Sequence, residues 1–481
     1  MGIRTGRQYL ESLNDGRIIY YKGRRIEDVT TDPFFTTASK HAAALFELQE
    51  IEEYKDLTTV TLPSGEAISR FYATPRTSDD LIKRMELTHL TNTRALGVDN
   101  SVLKAIGSNA INALLSVTKS IDGKKQTNYH ERVQNFLRYC QENDIASVLA
   151  ETDPKGDRGV APSQQVDPDL YLRIVSRNEE GIVVRGAKVA ITFAQLANEM
   201  IVLPSRTVKE EDAEYAVAFS IPANHPGVKQ IVQSPVNPEN LDPFDRPLSS
   251  RQHVFESTIF FEDVFVPWDR VFMAGEWEFS RELLVKLSTF LRFGAIAAKP
   301  SLAELLVGTA QMMAEYNGLE KAQGIQNKIA ELMAFAGTIK SLTKLAALDC
   351  QIIDGVAVPN LETSNMAKYY IGSNFHNMIN IVQDIGGAGV LTAPYGADFD
   401  CPETGDLVRK YYQGKQGIPA EHRVRMFRLI NDLTASDFGG HQLVTALHGE
   451  GSPMAQKITI YREYNLNPAR EIAMRAARIT G

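Results

Sequence analysis

Thr152-Asp-Pro-Lys-Gly-Asp-Arg-Gly-Val-Ala-Pro-Ser-Gln-Gln165 is the stretch across which the chain changes its hydrophobic period. Before it, from about Ser78 to Ala150, apolar residues recur at helical spacing. Leu103, Ile106, Ile111, Leu114 and Leu115 make one face, and Val133, Phe136, Leu137 and Cys140 another. After it, between Asp167 and Trp277, the pattern is that of strands. Tyr171–Ser176 and Ile182–Arg185 flank Asn178-Glu-Glu-Gly181, whose glycine suits the left-handed position of a short hairpin. Further strands are predicted at Glu199–Leu203, Tyr215–Ile221, Lys229–Gln233 and Ser257–Phe261, and Phe260–Phe272 reads as a strand with a turn at its proline. From Phe279 the helical period returns. Ser301, directly after Pro300, caps a predicted helix with Glu304 at the capping-box position, and Ile325, Ile329, Leu332, Met333, Ala336, Ile339 and Leu342 mark the next. The order is a helical domain over 1–150, an antiparallel β domain over 151–278 and a helical bundle over 279–481, an α+β chain.

Composition narrows the function classes. The 481 residues are 43% apolar and 23% charged, which is ordered globular composition. A formal charge of −8 lacks the clustered cations that nucleic acid or anionic lipid demands. Cys140, Cys350 and Cys401 lie far apart and form no CxxC pair, so no zinc site or disulfide framework is written here. The nine histidines show no HxxxH or HExxH spacing, so no metal centre is predicted. No stretch is long and apolar enough for a membrane helix, and the opening residues lack an apolar leader core, so a cytoplasmic protein is expected. Neither a GxGxxG between strand and helix nor a GxSxG elbow occurs, which disfavours a nicotinamide domain and acyl-transfer hydrolysis.

Two segments suit a ligand. Gln383-Asp-Ile-Gly-Gly-Ala-Gly389 follows a helical stretch, and backbone N–H groups approach an anion closely only where no Cβ intervenes. Taken alone it reads first as an interhelical turn. The 152–165 stretch reads as a linker or a binding loop, and its donors and acceptors, Lys155, Asp157, Arg158, Ser163 and Gln164, at a domain junction favour the loop.

Together these segments resemble the flavin-dependent 4-hydroxyphenylacetate 3-hydroxylase family, which includes the 4-hydroxybutyryl-CoA dehydratases. Arg4-Thr-Gly-Arg-Gln-Tyr-Leu-Glu-Ser-Leu-Asn-Asp-Gly-Arg17 is similar to the hydroxylase branch. Thr152–Arg158, Gly181-Ile-Val-Val-Arg-Gly-Ala-Lys188, Asp263-Val-Phe-Val-Pro267 and His448-Gly-Glu-Gly-Ser-Pro-Met-Ala-Gln456 are closer to the dehydratase branch. The resemblance spans nearly the whole chain. It implies an acyl-CoA-dehydrogenase-like fold with a helical amino-terminal domain, a central antiparallel β-barrel and a carboxy-terminal four-helix bundle, in a homotetramer. It also implies an FAD site: Lys155, Gly156, Asp157 and Arg158 with Ala161, Pro162, Ser163 and Gln164 would line it, and Thr192 would lie near the flavin ring. Ser452, Pro453, Met454 and Ala455 would close it, with Gln383, Gly386, Gly387 and Gly389 reaching the FAD of a neighbouring subunit.

Departures from the family shape the functional expectation. The dehydratases hold an iron–sulfur cluster on three cysteines and a histidine; the corresponding positions here are Thr91, Ala95, Leu291 and Ala298, so no cluster is expected. An acidic residue of that branch corresponds to Thr445. The arginine, tyrosine and histidine that hold the phenol in the hydroxylases correspond to Val98, Val102 and Leu149. These three, with Ser205, Leu291 and Ala295, are expected to line a substrate pocket that selects by shape. Glu256 and Lys299 persist from the dehydratase pattern as an acid/base pair, and they also read as a structural ion pair. The resemblance therefore implies a two-component monooxygenase that takes FADH2 from a separate NAD(P)H-dependent flavin reductase. Through a flavin C4a-hydroperoxide it would oxygenate a small aromatic or otherwise electron-rich substrate. The alternatives are a cluster-free, FAD-dependent dehydratase, isomerase or dehydrogenase acting on an acyl-thioester, and a flavin-binding scaffold without activity.

Overall fold

The computed structural model describes residues 2–237 and 241–479. Ile18–Tyr21 (β1) and Arg24–Ile26 (β2) pair antiparallel across Lys22 and Gly23, whose φ values of 49° and 77° form a two-residue hairpin turn. Both strands lie inside the 1–150 region expected to be a helical domain. Helices Ser78–Arg94 (α1), Val102–Lys125 (α2) and Tyr129–Asn143 (α3) follow. Thr77 starts α1 with a reciprocal capping box to Asp80, and α2 is buried on almost every face as far as Thr118.

Ten strands, β1 and β2 included, build two sheets. The others are Ser147–Ala150 (β3), Arg173–Arg177 (β4), Gly181–Thr192 (β5), Glu199–Val202 (β6), Val217–Pro222 (β7), Val228–Gln233 (β8), Glu256–Pro267 (β9) and Val271–Ala274 (β10). One sheet runs β2-β1-β8-β9-β5-β4 and the other β10-β7-β6-β3. The β domain is therefore two open sheets, and no closed barrel is found among the described residues. Nor is it wholly antiparallel: β1 runs parallel to β8, and β3 to β6. Parallel partners need long crossovers, which leave no local hairpin signal.

The β4–β5 hairpin forms, but not through a left-handed glycine. The Asn178 carboxamide oxygen accepts from the N–H groups of Glu180 and Gly181, both at 2.9 Å, and so closes the turn. Gly181 is needed for a different reason: a Cβ there would lie 2.2 Å from the Val266 carbonyl. The strand reading of 260–272 holds, with β9 ending at Pro267 and β10 starting after Trp268–Arg270.

The carboxy-terminal half contains helices Ser280–Tyr316 (α4), Gln323–Leu348 (α5), Leu361–Gly386 (α6), Ala420–Thr434 (α7), Asp437–His448 (α8) and Pro453–Glu463 (α9). The first three pack on one another, with α8 and α9 against α6. No new helix begins at Ser301, because α4 runs straight through Pro300. Proline deprives the Ile296 carbonyl of its helical donor, and the Thr343 hydroxyl of α5 replaces it at 3.1 Å. The apparent capping residues serve packing between helices: Ser301 bonds the His89 ring at 3.0 Å, and Glu304 pairs with His89 at 3.6 Å.

Candidate active site

The 152–165 loop is clamped by its own last residue. Gln165, only 7% exposed, accepts from the Asp157 N–H at 3.0 Å and donates to the Asp157 carbonyl at 2.7 Å. The Tyr171 hydroxyl donates to the Lys155 carbonyl, and the Ser163 N–H to the buried Asp212 carboxylate. Gly156 has a φ of +50°, and a Cβ there would fall 2.5 Å from Gln165 Oε1. The backbone is fixed while the side chains of Lys155, Asp157, Arg158, Ser163 and Gln164 stay exposed, with Ala161 half-buried and Pro162 buried. The segment therefore combines a held backbone with exposed polar side chains.

Behind this loop the structure gathers charge. Lys188 of β5 is 2% exposed and directs its ammonium at the carbonyls of Glu151 and Leu203 and at Asp153 Oδ1, 2.6 Å away. Asp153 Oδ2 accepts from the Ser205 hydroxyl. Glu151, at the end of β3, feels Lys188, Asp153, Lys155 and, from α4, Arg292; burial dominates and pushes its carboxyl up from 4.5 to about 7. Arg292 Nε donates to the Glu450 carbonyl at 3.2 Å. Glu450 follows α8 and faces Lys368 of α6 and Lys299 of α4, and burial raises its carboxyl in spite of both ammonium groups. Lys368 donates to the Ala446 carbonyl at 2.9 Å, and burial lowers its ammonium.

A second group lies on the β5–β9 edge. Thr192 and Glu256 are register partners, and the Thr192 hydroxyl lies 3.0 and 2.9 Å from the two Glu256 carboxylate oxygens. His441 of α8 approaches Glu256 to 3.9 Å, and the Thr445 hydroxyl is 3.5 Å from the same His441 nitrogen. Glu256 and Lys299 are thus not partners of each other in this structure. Glu256 belongs with Thr192 and His441, and Lys299 with Glu450 and Lys368. Helix α8 joins the two groups, touching Glu256 through His441 and leading at its end to Glu450.

The remaining predicted residues distribute as follows. Ser452 caps α9, accepting from the Ala455 N–H, with Pro453 in the first turn and Met454 65% exposed. Gly451, with a φ of +102°, leaves room for the Arg292 guanidinium, which lies 3.2 Å from where a Cβ would be. Residues 383–386 are the last turn of α6 and not a loop, since Gly387 is its cap. Gln383 donates to Thr434 at 3.2 Å. Packing explains Gly386 and Gly389, where a Cβ would lie 2.5 Å from Val390 and Phe427 respectively, whereas Gly387, with a φ of +65°, faces open space. Val102 and Leu149 belong to the core around the sheets, and Val98 to that of the helices. Leu291 packs on the first core, and Ala295 is 8% exposed on the same face of α4. Thr91, Ala95, Leu291 and Ala298 carry no thiolate or imidazole and do not fit an iron–sulfur cluster; the buried Thr91 hydroxyl instead bonds the Thr88 carbonyl. Among the described residues no three His, Cys, Asp or Glu side chains form a metal-holding group, and no helix is long and apolar enough to cross a membrane.

The family described as 4-hydroxyphenylacetate 3-hydroxylase matches with its N-terminal part over residues 5–273 and its C-terminal part over residues 280–478. The chain belongs to this hydroxylase family. Its similarity to 4-hydroxybutyryl-CoA dehydratase/vinylacetyl-CoA-Delta-isomerase of Clostridium aminobutyricum is 32% identity, covering 99% of this chain and 100% of the relative. The structure of the oxygenase component of 4-hydroxyphenylacetate 3-monooxygenase complexed with FAD superposes with a TM-score of 0.90 at 30% identity, covering 98% of each chain. A glutaryl-coenzyme A dehydrogenase, at 14% identity and a TM-score of 0.52, shares the fold alone, covering 99% of this chain and 94% of the other.

Within this hydroxylase-family chain, sequence reasoning missed Glu151, Arg292, Lys368, His441 and Glu450. A signal existed for Glu450, which stands in the His448–Gln456 motif, and for Glu151, which immediately precedes the Thr152–Arg158 motif. Arg292 and Lys368 sit inside ordinary helical periods, and His441 is a lone histidine.

Proposed function

We propose that the chain is a reduced-flavin-dependent, two-component monooxygenase acting on a small aromatic or electron-rich substrate. The observations that carry this reading are the clamped loop presenting Lys155 to Arg158 and, behind it, a cluster of Lys188, Arg292, Lys299 and Lys368 with Glu151 and Glu450, taken here as the wall of the flavin cleft, in a chain whose Thr91, Ala95, Leu291 and Ala298 do not suit an iron–sulfur cluster. FAD fits the residues present. Lys155, Asp157, Arg158, Ser163 and Gln164 offer donors and acceptors on a fixed backbone, and the capped start of α9 at Ser452–Ala455 offers N–H groups and a favourable dipole for its phosphates. Thr192 would sit beside the ring with Glu256 and His441 behind it, and Gly387 would reach the FAD of a neighbouring subunit in a homotetramer. When bound, reduced FAD supplies the electrons that activate O2. Arg292, Lys299 and Lys368 supply fixed positive charge for negative charge that develops in the cleft. Val98, Val102, Leu149 and Leu291, apolar and packed into the two cores, with the buried Ala295, would keep water from the bound ring and substrate. The electron source would be a separate NAD(P)H-dependent flavin reductase, and the setting the cytoplasm.

A second reading is supported by the 32% identity to the dehydratase: a cluster-free FAD enzyme acting on an acyl-thioester, with Glu256 and Lys299 as acid and base. Anaerobic titration separates the two. The monooxygenase reading expects FADH2 to be held more tightly than FAD and phenol-dependent O2 uptake once oxygen is admitted. Tight retention of oxidised FAD through gel filtration, with O2 uptake indifferent to every phenol tried, would favour the thioester reading.

A further inference from the structure

We propose that Glu151 is a catalytic residue of this cleft, the carboxylate that takes the proton from a substrate hydroxyl; the assignment rests on the monooxygenase reading. The backbone around it is fixed on both sides. The Ala150 carbonyl accepts from Leu203 N–H at 3.2 Å, the Glu151 carbonyl from Lys188 Nζ at 2.7 Å, and the Thr152 carbonyl from Val189 N–H at 2.8 Å. The carboxylate itself receives no hydrogen bond or ion pair from any described residue, and it is half-buried. It stands two residues beyond Leu149 and directly before the 152–165 loop. Across from it, Arg292 ties α4 to the Glu450–Gly451 turn that precedes Ser452. Its position is therefore the meeting point of the two segments assigned to the flavin.

The neighbouring carboxylates are less available. Both Asp153 oxygens are engaged, one by Lys188 and the other by Ser205. Both Glu256 oxygens face the Thr192 hydroxyl. Glu450 faces two ammonium groups, Lys368 and Lys299, at the far end of α8. Glu151 faces four charged groups: Lys188 from β5, Asp153 and Lys155 from its own segment, and Arg292 from α4. Of these the strongest cation, Lys188, already donates to two carbonyls and Asp153, so it cannot also hydrogen-bond the Glu151 carboxylate. A carboxyl brought to about 7 by burial exchanges a proton readily at neutral pH. It also supplies a base where Val98, Val102 and Leu149, at the positions corresponding to the phenol-holding side chains, offer none. In the step, the substrate O–H bond breaks, the proton passes to a Glu151 oxygen and the electron pair stays on the substrate oxygen. No atom changes oxidation state, and O2 and reduced flavin remain the co-reactants of the oxygenation.

The test uses the full chain with FADH2, O2 and 4-methylphenol, a probe whose hydroxyl titrates near the tyrosine value of about 10. Wild type should show kcat rising with pH through a limb near 7. Glu151→Gln should lose that limb and about a hundredfold or more in kcat with little change in KM, and Glu151→Asp should keep the limb. Independently of turnover, infrared difference spectra of the flavin-free protein should show a protonated-carboxyl band that disappears near the same pH and is missing from Glu151→Gln. An unaltered limb in Glu151→Gln, or no such band in wild type, overturns the assignment alone. If wild type shows no phenol-dependent O2 uptake, the monooxygenase reading falls and the assignment falls with it.

Discussion

Two of the clusters of charge that the molecule takes out of water are treated in opposite ways. At the end of α3, Asp144 is fully buried and saturated: it accepts from Lys104 at 2.7 Å, Gln49 at 2.9 Å and the Arg4 N–H at 3.2 Å, and its carbonyl receives the Arg4 guanidinium. Lys104 also lies 3.9 Å from the Phe46 ring. This is a clasp fixing the amino-terminal strap to the α2–α3 pair, with both Asp144 carboxylate oxygens engaged. In the cleft, Glu151 and Glu450 face cations from β5, α4 and α6, yet neither carboxylate receives a hydrogen bond among the described residues. Saturated charge holds a fold together. Charge left short of partners destabilises it and remains available for a ligand.

The sharpest way to break this contrast is to remove one partner at the clasp. Lys104→Met should lower unfolding free energy by about 3–5 kcal/mol, because Asp144 is left buried without its ammonium; urea denaturation checks it, and a loss below about 1 kcal/mol would make the clasp ornamental. The cleft should behave in reverse, losing function without losing stability. Glu151→Gln should cost about a hundredfold in kcat, or roughly 2.7 kcal/mol of transition-state stabilisation, without lowering the melting temperature; steady-state O2 uptake and calorimetry read the two effects.

Glu151 gives the sign test. Its folded carboxyl titrates near 7 against 4.5 for the reference group. Between those values the fold binds a proton that the unfolded chain has released, so stability from this group falls as pH rises and the deficit is complete above about 7. Glu151→Gln should therefore be close to neutral near pH 5 and stabilising by about 1–3 kcal/mol near pH 8, as read by denaturation at the two values. Equal effects at both would show that the carboxyl is not strained. The smallest effect belongs to a place with no charge at all. Thr343→Val should cost about 1 kcal/mol, since the Ile296 carbonyl above Pro300 loses its substitute donor.

The same contrast explains what the sequence disclosed. The 152–165 loop was legible because its chemistry is local: Lys155, Asp157, Arg158, Ser163 and Gln164 stand within one turn-rich segment. The strands from 171 to 261 were legible from their alternation. The cleft was not, because Glu151, Arg292, Lys368 and Glu450 come from four distant segments: Glu151 and Glu450 adjoin or occupy motifs, but nothing local joins them to each other or to Arg292 and Lys368, which sit inside ordinary helical periods. The parallel pairing of β1 with β8 was hidden for the same reason. Pro300 misled because the residue that rescues its helix, Thr343, lies on another helix. The pairing of Glu256 with Lys299 was drawn from shared pattern, and three dimensions assign each a different partner.

The central claim, that this cleft oxygenates its substrate with reduced flavin, is tested most directly with isotopic oxygen. The protein with FADH2 and a panel of apolar para-substituted phenols, supplied with 18O2, is predicted to give product carrying one labelled oxygen atom per turnover. Product formed without label, or formed equally well in the absence of oxygen, would contradict the account and leave the thioester chemistry in its place.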